Sequence, residues 1–443
     1  MTIKASNIQQ PEYDSLLQGV VDNLENFIES INCINETFGF SEITLRTYHK
    51  ETNDKYNNFV KNCEQSKVNG HIIIKVPEGR VREFMRIRKK KERAERAFEI
   101  IPPSYFVSLV STYDTFFAGL VRCYYNICPE KLKESDMSFC YRDLQQFENL
   151  NEVKKRIIDK NIETLLRESH IAQLEWLSKA LELSTLTKFN GWNDFVELTE
   201  RRNLFVHSNG TVNNQYIEVC KKHFDLGADI LEGNKLTIDK YYFEKAYKTL
   251  YKISILLTQM LLRVKYLNKI GFEISSDVDK ILINNVFDLI SDQLYDVAID
   301  VSETILENKK FVHNAFDREY LVLNYAQAYK WNGNVARCLD ILKKEDWSAF
   351  TNELLIPRYA LEDNYTEVYK RMRELGNCNQ HITISAYREW PIFKDLRKEK
   401  EFEQVFAEIF GEELCDINDL ELQSTQEINE EISPFYLSKE AEE

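Results

Sequence analysis

The chain has 443 residues, 43% of them apolar and 29% charged, which excludes a disordered protein and exceeds one ordinary core, so two or three domains are expected. The formal charge of −15 does not exclude an RNA partner, because residues 412–443 hold eleven acidic side chains and one lysine and carry most of it. Only 13 Gly and 8 Pro occur, with no Pro between Pro129 and Pro357, and this scarcity of helix breakers points to an all-α fold.

The N-terminus, Met1-Thr2-Ile3-Lys4-Ala5-Ser6, has no apolar leader, so a cytoplasmic chain is expected. Residues 1–100 read as an N-terminal helical extension. Its spacing predicts helices over 10–37 and 41–65, then a small extended or hairpin element near 70–77 at His71-Ile72-Ile73-Ile74-Lys75-Val76. The segment 80–96 is basic, with nine Lys or Arg against three Glu. Arg86, Arg88, Lys89, Lys90, Lys91 and Arg93 form either a solvated helix face or a surface that tracks RNA phosphates.

A helix is expected to begin after Pro102-Pro103. Phe106, Leu109, Val110, Tyr113, Phe117, Leu120, Val121 and Tyr124 make one apolar face at three- and four-residue spacing, and Asp114 lies on its edge. The nine cysteines are scattered, and the closest pair, Cys123 and Cys128, has the spacing of neither a zinc knuckle nor a redox pair. Reduced thiols are expected. Helices follow over 137–168, 170–187 and 192–208, the last closed by Ser208-Asn209-Gly210. After a short helix, a long one spans 239–270 and stops at Gly271. Its greasiest part, 253–267, contains Thr258, Gln259, Arg263 and Lys265 and so is not a membrane span. Residues 101–275 thus read as one helical bundle.

Over 280–411 the pattern becomes repetitive. Tyr295-Asp296-Val297-Ala298 is echoed at Gly333-Asn334-Val335-Ala336 and again at Tyr365-Thr366-Glu367-Val368, as in stacked helical hairpins. This stretch resembles a degenerate tetratricopeptide (TPR) array, which implies a docking place for a protein partner or trigger. Residues 412–443 read as an acidic, flexible tail.

The sharpest chemistry lies in Arg202-Asn203-Leu204-Phe205-Val206-His207. Phe195, Leu198, Arg202 and Phe205 share a stripe, so Arg202 occupies an inward slot and needs a carboxylate. Asp114 is the best candidate, with Glu200 and Glu197 as further ones. His207 shares a face with Asn203 and sits in the last helical turn, suited to proton exchange near neutral pH. An Arg that grips phosphate beside such a His suffices for RNA cleavage without a metal. No Gly-rich phosphate loop, His-Glu-x-x-His or Gly-x-Ser-x-Gly element occurs, so neither a cofactor nor a metal site is expected, and the remaining histidines show no partner geometry.

The run from Glu200 to Gly210, with the helix around Asp114 before it and the long helix after Asp239 behind it, resembles the HEPN superfamily over about 100–272. That resemblance implies a helical bundle and a metal-independent endoribonuclease of antiviral defence or a toxin-like response. It implies Arg202 and His207 as catalytic, Asn203 contacting phosphate, and a homodimer in which two copies of the motif form one composite site. It also leaves a non-catalytic scaffold or an RNA-binding adaptor open. The Tyr that one HEPN branch carries two residues after the His is Asn209 here, so control by modification of that Tyr is not expected.

Overall fold

The structure, a computed structural model, describes residues 10–414 apart from 69–70, 135–137, 184–188, 228–229, 272–274, 308–310, 312–313, 378 and 380–381. The fold is all-α with one two-stranded sheet, and the chain divides into two compact units, Met1–Phe272 and Glu273–Glu443. From residue 415 on, the acidic tail lies outside the described residues.

In the first unit, α1 (Gln10–Lys61) is a single helix of 52 residues, where two were expected. Gly39 costs a helix interior about 1 kcal/mol, but its neighbour Phe38 stacks on Phe243 with centroids 3.9 Å apart and meets Tyr105 edge-on at 5.6 Å. That burial outweighs the glycine. The antiparallel strands β1 (Glu64–Val68) and β2 (His71–Lys75) pair from Glu64–Lys75 to Val68–His71.

The next helix, α2 (Val81–Ile127), runs through Pro102 and Pro103, so the helix start expected after them, and the break at residue 100, are absent. Interior proline costs about 3 kcal/mol. Packing on α1 spans the lesion: Phe98 meets His49 before it, Tyr105 meets Phe38 after it, and Pro102 itself is buried.

Short α3 (Tyr141–Leu144) precedes α4 (Leu150–Leu166). The latter starts later than expected because Asn149 caps it, accepting from the amides of Asn151 and Glu152. Ser169 caps α5 (His170–Ala180), which ends before the left-handed Glu182 rather than at 187. Then come α6 (Trp192–Ser208), α7 (Asn214–Lys221) and α8 (Lys240–Leu261), which Asp239 caps. One π turn (Leu262–Tyr266) leads into α9 (Leu267–Ile270), and the chain turns at Gly271 with φ +122°. Phe106, Tyr113 and Phe117 of α2, Leu177 of α5, Phe195 of α6 and Leu250 of α8 are buried in the shared core.

The second unit contains α10 (Ser275–Ser291), α11 (Tyr295–Leu306), α12 (Ala315–Trp331), α13 (Val335–Lys344), α14 (Asn352–Leu361), α15 (Tyr365–Leu375), α16 (Ile384–Glu389) and α17 (Lys400–Phe410). The first six pair as hairpins whose turns are closed alike. A left-handed residue, Gln293, Gly333 or Asp363, donates to the carbonyl three residues back, and the next amide reaches five back: Leu294 to Leu289, Asn334 to Tyr329, Asn364 to Tyr359.

Candidate functional site

Asp114, on α2, is the pivot. Its Oδ2 accepts from Arg202 Nη2 of α6 at 3.3 Å, and its Oδ1 lies 2.8 Å from His170 Nε2 of α5. One carboxylate therefore joins three helices. Arg202 also donates from Nη1 to its neighbour Asn203 at 3.3 Å, while its Nε is buried without a partner. Tyr113 packs its fully buried ring on Phe195 and His170. Burial and then the Asp114 charge push that phenol well above its usual range.

The other expected carboxylates do not serve Arg202. Glu200 is buried, and burial raises its carboxyl pKa against the opposing charge of His170. Glu197 belongs to Arg201, whose Nε donates to it at 2.7 Å and whose guanidinium lies 3.8 Å over the Tyr242 ring. The hydroxyls of Tyr216 and Tyr242 each donate to Glu197 at 2.6 Å. Burial pushes both phenols up, and the Glu197 charge adds to it. Burial works against the charge on Arg201, but the surrounding Tyr242, Glu197 and Tyr216 raise its pKa on balance. This knot ties α6 to α7 and α8, so the two adjacent arginines have separate tasks: Arg201 inward in the knot, Arg202 against Asp114.

His207 occupies the last turn of α6, is exposed, and has no hydrogen-bond or ion-pair partner among the described residues. Its turn is fixed from behind. Asn209 and Gly210 are both left-handed, with φ +49° and +77°. The Gly210 amide donates to Leu204, its carbonyl accepts from Leu236, and Val212 pairs with Asn234. Lys235 in that returning segment bonds Glu99 of α2 at 2.8 Å. No hydrogen bond joins His207 to Arg202 or Asn203.

The basic segment is divided. Arg88 pairs with Glu92 at 3.0 Å and Lys91 with Glu95 at 2.7 Å, whereas Arg86, Lys89, Lys90 and Arg93 are exposed and make no hydrogen bond or ion pair. Two histidines set aside in the sequence do have partners: His170, above, and His223, whose Nδ1 accepts from Trp192 Nε1 at 3.2 Å. His170 was legible by the argument used for Arg202, because it heads the inward stripe His170, Leu174, Leu177, Leu181. Among the described residues no group of three His, Cys, Asp or Glu could hold a metal ion, and no helix is long and apolar enough to cross a membrane.

No protein-family model, curated protein or solved structure matches the chain.

Proposed function

We propose that this protein is a metal-independent endoribonuclease of the HEPN type, acting as a homodimer in a defence or toxin-like response, with the hairpins of the second unit as a TPR-like docking array. One observation carries the reading. The same helix holds an arginine braced by a half-buried carboxylate and, one turn on, an exposed histidine without a partner. A structural ion pair accounts for Arg202 but gives His207 no task.

In the proposed reaction the ribose 2′-OH attacks the adjacent phosphorus, the bond to the 5′-oxygen breaks, and the products are a 2′,3′-cyclic phosphate and a 5′-hydroxyl. His207 moves the proton. Arg202, held in place by Asp114, neutralises the charge that builds on the phosphoryl oxygens, and Asn203 orients the phosphate. As the family resemblance implies, a second copy supplies the facing half of a composite site. Free cysteines throughout the described residues fit a cytoplasmic setting.

The test compares wild type, Arg202→Ala and His207→Ala on mixed RNAs in EDTA. Wild type is expected to yield cyclic-phosphate ends, with each variant slower by at least about 100-fold. Equal cleavage by all three proteins removes the proposal and leaves the scaffold reading.

A further inference from the structure

The basic part of α2 is sorted by charge partner and by face, except for Lys90, which is unpaired but lies outside the row. At about 100° per residue, Arg82, Arg86, Lys89, Arg93 and Arg96 fall within an arc of roughly 80°, and at about 1.5 Å per residue they form a straight row some 21 Å long. All five are exposed, and none makes a hydrogen bond or ion pair, though the charges of Arg86 and Arg96 are felt weakly at Glu83 and Glu99. The opposite side of the helix packs on α1: Phe84 meets Tyr56 and Phe59, Phe98 meets His49, and Ala94 is buried. The segment's three glutamates lie off the row, and cations that are also off the row take them: Arg80 with Glu83, Arg88 with Glu92, Lys91 with Glu95.

A solvated helix face would not be sorted this way. Successive like charges three and four residues apart destabilise a helix by about 0.2–0.5 kcal/mol each, and exchanging a glutamate into the row would relieve it. Four of the five cations are arginines, the side chain that grips phosphate in bidentate fashion. The same helix carries Asp114 eighteen residues beyond Arg96, roughly 27 Å along the axis.

We propose that this row is a docking rail for the phosphate backbone of single-stranded nucleic acid, feeding the site at Arg202. A row one residue wide follows one strand, whereas the two strands of a duplex wind away from it. No aromatic side chain stands in the row to stack bases, so recognition is independent of sequence. The inference rests on the ribonuclease reading only for why a strand is held there.

The experiment measures binding without cleavage, by fluorescence anisotropy of a labelled 20-nucleotide oligo-U with the full chain carrying His207→Ala. Five phosphate contacts predict a log–log salt slope near −3.5, or about 100-fold weaker binding at 200 than at 50 mM salt. Changing the five row residues to Gln is expected to flatten the slope and weaken binding at 50 mM by at least tenfold. Arg88→Gln with Lys91→Gln, two cations off the row, is expected to change it less than threefold. Equal loss in both variants, or none in the first, overturns the rail. So does a duplex that competes as well as the single strand, or binding to phosphatidylserine vesicles without binding to RNA. Binding as expected by a protein that never cleaves RNA sinks the ribonuclease reading alone. Cleavage that needs Arg202 and His207 but ignores the row sinks the rail alone.

Discussion

Asp114 accepts from Arg202 and His170 on two different helices, so its charge supports packing as well as any chemistry. Asp114→Asn keeps the shape and removes the charge, leaving a half-buried guanidinium without its counter-ion. The expected cost is about 1–3 kcal/mol, measured by urea unfolding, together with loss of RNA cleavage. A variant as stable as wild type would show that the ion pair is too well hydrated to matter. Arg202's need for a carboxylate was legible because it interrupts an apolar stripe, but the third partner needed the same test applied to His170. In the second unit, burial and then the charge of Glu345 push the Glu319 carboxyl up to about 7, against the neighbouring Arg318. Folding therefore takes up a proton here. The stabilisation is complete below the unfolded value of about 4.5 and is lost as pH rises through 7. Glu319→Gln cannot ionise, and is expected to match wild type at pH 4.5 but to exceed it by about 1–3 kcal/mol at pH 8. Thermal unfolding at the two pH values decides it, and equal stability at both would contradict the shift.

At the scale of elements, local punctuation located most helices and misled at two. The bounds of α6 were legible because a stripe led into Ser208-Asn209-Gly210, and the structure ends the helix there. Gly39 and Pro102-Pro103 read as breaks because propensity is local, whereas Phe38, Phe98 and Tyr105 bind α1 to α2 across them. The sequence also could not show which cations of 80–96 pair with which glutamates, since charge counts carry no direction. The turn behind His207 depends on its glycine. A Cβ at Gly210 would stand 2.6 Å from the Phe205 ring and 3.1 Å from the Leu236 carbonyl, on a backbone with φ +77°. Gly210→Ala is expected to cost about 1–2 kcal/mol and to displace His207, lowering both the melting temperature and the cleavage rate. An alanine variant with unchanged melting would mean that the turn relaxes freely.

Across the whole molecule, two kinds of helical order divide the chain. The first unit buries one large core between long helices, with polar contacts such as the Glu197 knot joining elements far apart in sequence. Contacts of that kind leave no local trace, so the bundle was legible only through its stripes. The second unit is built from neighbours, and its repeat was visible in the runs from Tyr295, Gly333 and Tyr365, which stand where the second helix of each hairpin starts. There each turn at Gln293, Gly333 and Asp363 is closed by its own pair of backbone bonds, which sets how the unit would answer a mechanical load. Pulled from its ends, an array with locally closed hairpins yields in increments, one hairpin after another. Each released segment of 24 to 32 residues (for instance Ser275–Leu306) adds roughly 80–110 Å of extended chain. A core closed by distant contacts has no such intermediate lengths and lets go as a whole.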